Sequence, residues 1–221
     1  PTLETLVDVD NLIDYMLVIF FAGNFDSPTG SFTGNKGPNN FFAIRDRETG
    51  DAGFVFFAHD AEHALHAQAW SPGIGVYENR VNIGDIEGDY RMVVTEFENF
   101  HPQWLHHRLT EHPEYRARFD ERVRVHLLAH GPATPDAAAA LFSTRADDIE
   151  LAIIAESARW GDSKPFEEDG RTYRTRDDDW IPAIEDTLDH FFGGLGDDPP
   201  RTDIVLEQLA AAELYQPEIA P

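Results

Sequence analysis

The chain contains no cysteine. Disulfides, thiolate metal sites and thiol nucleophiles are therefore excluded. It also lacks a long apolar run. The longest, Tyr15 to Ala22, is far short of the roughly 20 residues a membrane-spanning helix needs, and is expected to be a buried helix. Lysine is nearly absent: of 17 cations only Lys36 and Lys164 are lysine, so fifteen are arginine. Against them stand 41 acids, for a formal charge of −24. A surface of that sign repels nucleic-acid backbones and anionic membranes, so neither is expected as a partner. Many acids with few lysines fit salt adaptation and a plainly soluble acidic surface equally well. No Gly-x-Ser-x-Gly elbow occurs, which argues against a serine hydrolase, and no internal repeat is visible. The chain begins at Pro1 without a methionine or a signal-like segment, so any targeting information is expected either to have been cut away or never to have existed.

The 221 residues, 42% of them apolar, suit one large domain with a sizeable core. Asp8 is placed to cap a helix from Val9 to about Ala22, stopped by Gly23. That helix is apolar nearly all round at its end and should be buried. A loop rich in Gly, Ser, Thr, Pro and Asn spans residues 24–39. Short aromatic strands at 40–45 and 54–58 flank a polar turn and read as a hairpin covered on both faces. Residues 67–99 carry few periodic signals. Helices are then expected from Pro102 to about Glu111, from Pro113 to about His130, and from Thr134-Pro135-Asp136 to Arg159. After a charged loop at 162–176, further helices are expected from 177–179 to Phe192 and from a Thr202 or Asp203 cap to about Leu214. Gly193-Gly194-Leu195-Gly196 reads as a helix end, not a phosphate loop. The fold class is α+β, mainly α: one helix, one hairpin, then a helical bundle.

The chemistry-bearing residues cluster early. A buried helix ends in a loop presenting Asn24 and Asp26, Asn39 and Asn40 precede the first strand, and the second strand ends at His59-Asp60. Protein kinases order their parts this way: an Asp base, then a metal-binding Asn, then a hairpin leading to the Asp that holds magnesium between the phosphates. An Asp can accept a hydroxyl proton, an Asn offers a neutral oxygen, and a second Asp offers the anionic oxygen a hard cation prefers. Order alone is weak, because Asp and Asn favour loops in any protein.

Several segments strengthen it. Asp8-Val-Asp-Asn-Leu-Ile-Asp-Tyr15, Ala22-Gly-Asn-Phe-Asp26, Asn39-Asn-Phe-Phe-Ala-Ile-Arg45 and Phe56-Phe-Ala-His-Asp-Ala-Glu-His63 resemble the CotH family of atypical, spore-coat-type protein kinases. So do Gln103-Trp-Leu, residues 116–122 and residues 153–160, and the resemblance covers most of residues 7–212. It implies a protein-kinase-like C-terminal lobe and phosphoryl transfer from ATP, with Mg2+, to Ser/Thr hydroxyls of a protein substrate. It further implies an extracellular or cell-surface setting with other domains in the parent chain. Carried over by position, Asp26 is the catalytic base and Asn40 and Asp60 are metal ligands. Asn24, Asn39 and Glu62 are in support, and His59 and Trp70 edge the nucleotide. Two departures stand out: the loop between Asp26 and Asn40 is longer than the family's, and His59 replaces an aromatic residue. No Gly-rich loop or strand lysine precedes Asp8. Residues 1–215 are thus expected to be a kinase-like domain lacking its N-terminal lobe, weak or inactive alone, with 216–221 a linker to a further domain.

Two rivals remain. One is a non-catalytic kinase-like module for binding or assembly. The other is a metal-dependent hydrolase at His59, Asp60, Glu62, His63 and His66. Elsewhere the blander expectations suffice: His106, His107 and His112 on the surface, Trp104, Trp160 and Trp180 in the core, and Asp177-Asp178-Asp179 capping a helix.

Overall fold

The Asp8 carboxylate accepts a hydrogen bond from the Asn11 backbone N–H at 2.9 Å and opens helix α1 (Val9–Ala22). Gly23 closes it in the left-handed region at φ 61°, a conformation that costs glycine nothing. Both boundaries match the sequence expectation. The structure is a computed structural model and describes residues 3–30, 37–48, 53–67, 75–81, 99–163, 173–196 and 198–217. Those residues are mostly helical, with one small antiparallel sheet.

Helix α1 is the central element. Leu12, Ile13, Met16, Ile19 and Phe20 are fully or almost fully buried, and each such side chain contributes about 1.5–3 kcal/mol by leaving water. Around it pack α2 (Pro102–Leu109), α3 (Pro113–Leu127) and α6 (Arg201–Ala211). From α3 the four-residue stripe Tyr115, Phe119, Val123 and Leu127 enters the core, and from α6 come Val205 and Leu209. The more polar side of α1 pairs with α3. Arg118 reaches Asp10 at 2.6 Å, Arg122 reaches Asp14 at 2.7 Å, and His126 reaches Asp14 at 2.9 Å. The two helices match in steps of four residues. These pairs are partly exposed, so they set register more than they stabilise, at about 1 kcal/mol or less each.

A second cluster forms where α4 (Pro135–Trp160) meets a helical stretch of mixed pitch. That stretch has a wide π turn at Arg176–Trp180, α5 (Ile181–Asp186) and a second π turn at Thr187–Phe192. Phe191, Phe192, Ala138 and Ile204 make its core, with Phe21 packed against it. Thr175 caps the stretch by accepting the Asp178 N–H, and Asp179 accepts the Thr175 N–H in return. The acidic run therefore serves capping, as expected.

The hairpin pairs β1 (Phe41–Ile44) with β2 (Val55–Ala58), Phe42 opposite Phe57 and Ile44 opposite Val55. Asn11 of α1 holds it: its amide donates to the Phe56 carbonyl at 3.2 Å while its side-chain oxygen accepts the Phe56 N–H. Residues 6–8 bond both ways with Phe54. Gly53 is needed there, because a Cβ at that position would sit 2.3 Å from the Val7 backbone.

Four expectations are corrected. The hairpin is covered on one face only: Phe41 and Phe56 turn to α1, while Phe42 (55% exposed), Ile44 (58%) and Phe57 (47%) face outward. His106 is buried, not surface, because it falls on the stripe of α2 that meets α1 and α3. It hydrogen-bonds Tyr115 at 2.8 Å and packs against Phe20 and Phe119. Trp160 lies at the open end of α4, half exposed under Arg159, and Trp104 and Trp180 are only half-buried. Helix α6 starts at Arg201 after Pro200, and Thr202 donates to the Ala133 carbonyl instead of capping. Among the described residues no helix is long and apolar enough to cross a membrane.

Burial brings the His106 ring from its ordinary 6.5 down to about 3, and that of His101 to about 4. The unfolded chain takes up a proton near pH 6.5 that native His106 refuses. Stability is therefore full above that pH and lost as pH falls toward 3. For His106 alone the slope is about 1.4 kcal/mol per pH unit. Urea unfolding between about pH 6 and pH 4 should show this slope shrink by that amount in His106→Gln; an unchanged slope would refute the neutral buried ring.

Candidate active site at the end of α1

The end of α1 is fixed from behind. Arg201 is fully buried. Its Nε donates to the Phe21 carbonyl at 2.9 Å, Nη2 donates to the Phe20 carbonyl, and Nη1 donates to Val76 at 2.5 Å. The last carbonyls of α1, which no further helical turn could satisfy, are thus closed by a cation at the negative end of the helix. Burial brings the Arg201 guanidinium down to about 9, with Glu78 holding it up, so it stays charged at neutral pH.

The chain leaves this anchor as Asn24-Phe25-Asp26. The Asn24 side chain accepts the Asp26 N–H at 3.1 Å, a local turn that aims the aspartate. From the other end of the loop, the Asn39 amide donates to the Asp26 carbonyl at 2.8 Å, and the Asn40 amide donates to Asp26 Oδ2 at 2.8 Å. Asn40 takes φ 48°, a left-handed conformation that Asn tolerates better than most residues. Ser27 ties the two ends together, bonding the buried Tyr15 hydroxyl at 3.0 Å and the Asn40 carbonyl at 2.9 Å. Beneath, buried Arg80 donates to the Thr29 carbonyl and hydroxyl and lies 3.8 Å from buried Glu78. Gln103 holds the Arg80 carbonyl in turn.

Asp26 is 5% exposed, and its Oδ1 has no hydrogen-bond partner among the described residues. Burial raises its carboxyl above the usual range, and Glu62 adds to this. His63, the Asn39 amide and Arg80 act the other way. The segment after β2 folds back over the loop: the Leu65 N–H bonds the Ala22 carbonyl, and the His63 ring lies 4.7 Å from that of Phe25. One potential ligand atom each from Asp26, Glu62 and His63 then lies within 4.8 Å of the others.

Of the residues singled out in the sequence, Asp26, Asn24, Asn39 and Asn40 form one hydrogen-bonded unit, and Glu62 joins Asp26. Asp60 is exposed, takes φ 50°, and stands outside the Asp26–Glu62–His63 group. His59 is exposed, its ring edge against Phe42 at 4.7 Å. Trp70, Lys36 and Lys164 lie outside the described residues. Sequence reasoning missed Tyr15, Ser27, Arg80 and Arg201. Only Arg201 left a signal: a cation at the first position of a helix opposes the dipole and calls for another role.

The family model described as CotH kinase protein matches residues 2–172. The chain belongs to the CotH kinase family. The matched span holds α1, the hairpin, the Asp26 unit and α2 to α4, whereas the Arg201 anchor lies beyond it. Searches of the curated proteins and of the solved structures give no match.

An ionised Asp26 held above its ordinary value costs the fold stability at neutral pH. That cost is absent below the unfolded value and grows as pH rises through the folded one. Asp26→Asn keeps an acceptor for Asn40 and removes the charge. It should melt at or above the parent temperature at neutral pH. A fall of more than about 4 °C in thermal unfolding would mark the carboxylate as a structural anchor instead.

Proposed function

We propose that this CotH kinase family member transfers the γ-phosphoryl group of ATP to a Ser or Thr hydroxyl of a protein substrate, on a kinase-like C-terminal lobe. The observation that carries this is the Asp26 carboxylate. One oxygen is held by Asn40 and the other is buried without a hydrogen-bond partner among the described residues, at the end of a helix closed by Gly23 and Arg201. A base needs such a fixed, partly desolvated carboxylate.

In the proposed reaction the substrate hydroxyl oxygen forms a bond to the γ-phosphorus, and the bond to the β–γ bridging oxygen breaks. That electron pair leaves with ADP, and the hydroxyl proton passes to Asp26. Mg2+, when bound, neutralises the phosphate charge. The donor set fits a hard cation: Asp26 and Glu62 would offer carboxylates and Asn40 an amide oxygen, while Asp60 stands exposed just after β2. Asn24 and Asn39 position Asp26 and take no part in the bonds. The open face of Phe42, Ile44 and Phe57, with His59 beside it, supplies the apolar surface that a nucleotide and a covering lobe need.

A hydrolase at the histidine cluster is less well supported. Of His59, His63 and His66 only His63 joins the carboxylate group, whereas catalytic zinc sites use two or three nitrogen or sulfur ligands.

The test is transfer of radiolabelled γ-phosphate to a protein acceptor by the parent chain. Asp26→Asn should lower the rate by about 10²–10⁴-fold. Full transfer by Asp26→Asn, or nucleotide binding with no transfer by the parent, would refute the reaction. The second result would favour a binding module.

A further inference from the structure

We infer that Asp26, Glu62 and His63 form a mixed oxygen–nitrogen cation site that prefers Mn2+ and its first-row neighbours to Mg2+. The inference concerns the same site as the proposed phosphoryl transfer and rests on that location, but not on the reaction.

Three observations carry it. The ligand atoms of the three residues lie within 4.8 Å of one another. An ion bonded at about 2.1–2.2 Å spans ligands up to about 4.4 Å apart, so closure needs shifts of a few tenths of an ångström. Glu62, with a side chain 57% exposed, is free to supply them. The second observation is the state of Asp26 itself: it is 5% exposed, and its Oδ1 has no hydrogen-bond partner among the described residues. A buried carboxylate oxygen left open in this way calls for a ligand. Because each carboxylate oxygen carries two lone pairs, Asp26 can meet a cation and still accept a proton. The third is the identity of His63. Its ring lies against Phe25, on the loop that carries Asp26, so an imidazole is built into the wall of the site. Mg2+ selects oxygen ligands and sheds water reluctantly, whereas imidazole favours the transition ions in the order Mn2+ to Zn2+. One nitrogen in three protein ligands therefore shifts selectivity without excluding Mg2+.

The experiment titrates the chelator-treated, nucleotide-free chain with Mn2+ alone and with Mg2+ alone. Heat is followed by calorimetry, and free Mn2+ by its paramagnetic resonance signal. One Mn2+ should bind at least about tenfold more tightly than Mg2+, and His63→Gln should bring the two ions to near parity. Should His63→Gln disturb the packing on Phe25, Glu62→Gln serves instead. It changes an exposed residue and should weaken both ions by about tenfold. Equal binding by the parent, a Mn2+ preference that survives His63→Gln, or no binding of either ion would overturn the inference. Equal binding, or a Mn2+ preference that survives His63→Gln, leaves phosphate transfer with Mg-ATP standing. Conversely, intact Mn2+ binding without transfer would sink the reaction alone.

Discussion

Everything at this site depends on how one buried helix ends. A helix terminus inside a protein leaves carbonyls that neither a next turn nor water can satisfy. Here Gly23 turns the chain in the left-handed region, and the Arg201 guanidinium, from far along the sequence, takes the carbonyls of Phe20, Phe21 and Val76. A buried cation is costly unless it is fully engaged, and removing one partner from such an arrangement costs about 3–5 kcal/mol. The interaction is therefore stiff. It also joins three parts of the chain, α1, the 75–81 segment and α6, at the point where the Asp26 loop departs.

From that anchor the rest follows as a chain of constraints. Asn24 sets the first turn, Asn39 and Asn40 pin Asp26 from the far end of the loop, and Ser27 links them to the buried Tyr15. Arg80 and Gln103 brace the loop from below. The result is a carboxylate kept out of water, one oxygen of which has no hydrogen-bond partner among the described residues, an arrangement that costs the fold. Stabilising contacts are thus spent on rigidity around Asp26 rather than on comfort for it, the usual trade between stability and activity.

Local signals were legible in the sequence. Asp8 and Gly23 set α1, the alternation of aromatics set the hairpin, and Asn24, Asp26, Asn39 and Asn40 stood in an order that points to one loop. Longer-range facts were not. His106 looked like one of several surface histidines, because adjacency in sequence does not say which side of a short helix meets the core. Nor could the hairpin's aromatic pairs show that only one face would be covered, since strand alternation fixes two faces and not what lies over each. The partnership of Asp26 with Glu62 and His63, in place of Asp60, depends on how residues after β2 fold back over Phe25. That path is set by tertiary contacts such as Leu65 to Ala22. Arg201 lies some 180 residues from the α1 carbonyls it holds, and no spacing rule reaches so far.

Membership of the CotH kinase family and the geometry of the Asp26 unit meet in one claim: the capped end of α1 presents a carboxylate to a cation shared with the segment after β2. Crystals grown with Mn2+ and measured at its absorption edge test this most directly. The account predicts one anomalous peak within bonding distance of Asp26, Glu62 and His63. A peak at Asp60 without Asp26, or Asp26 turned away into the core with no peak beside it, would contradict it.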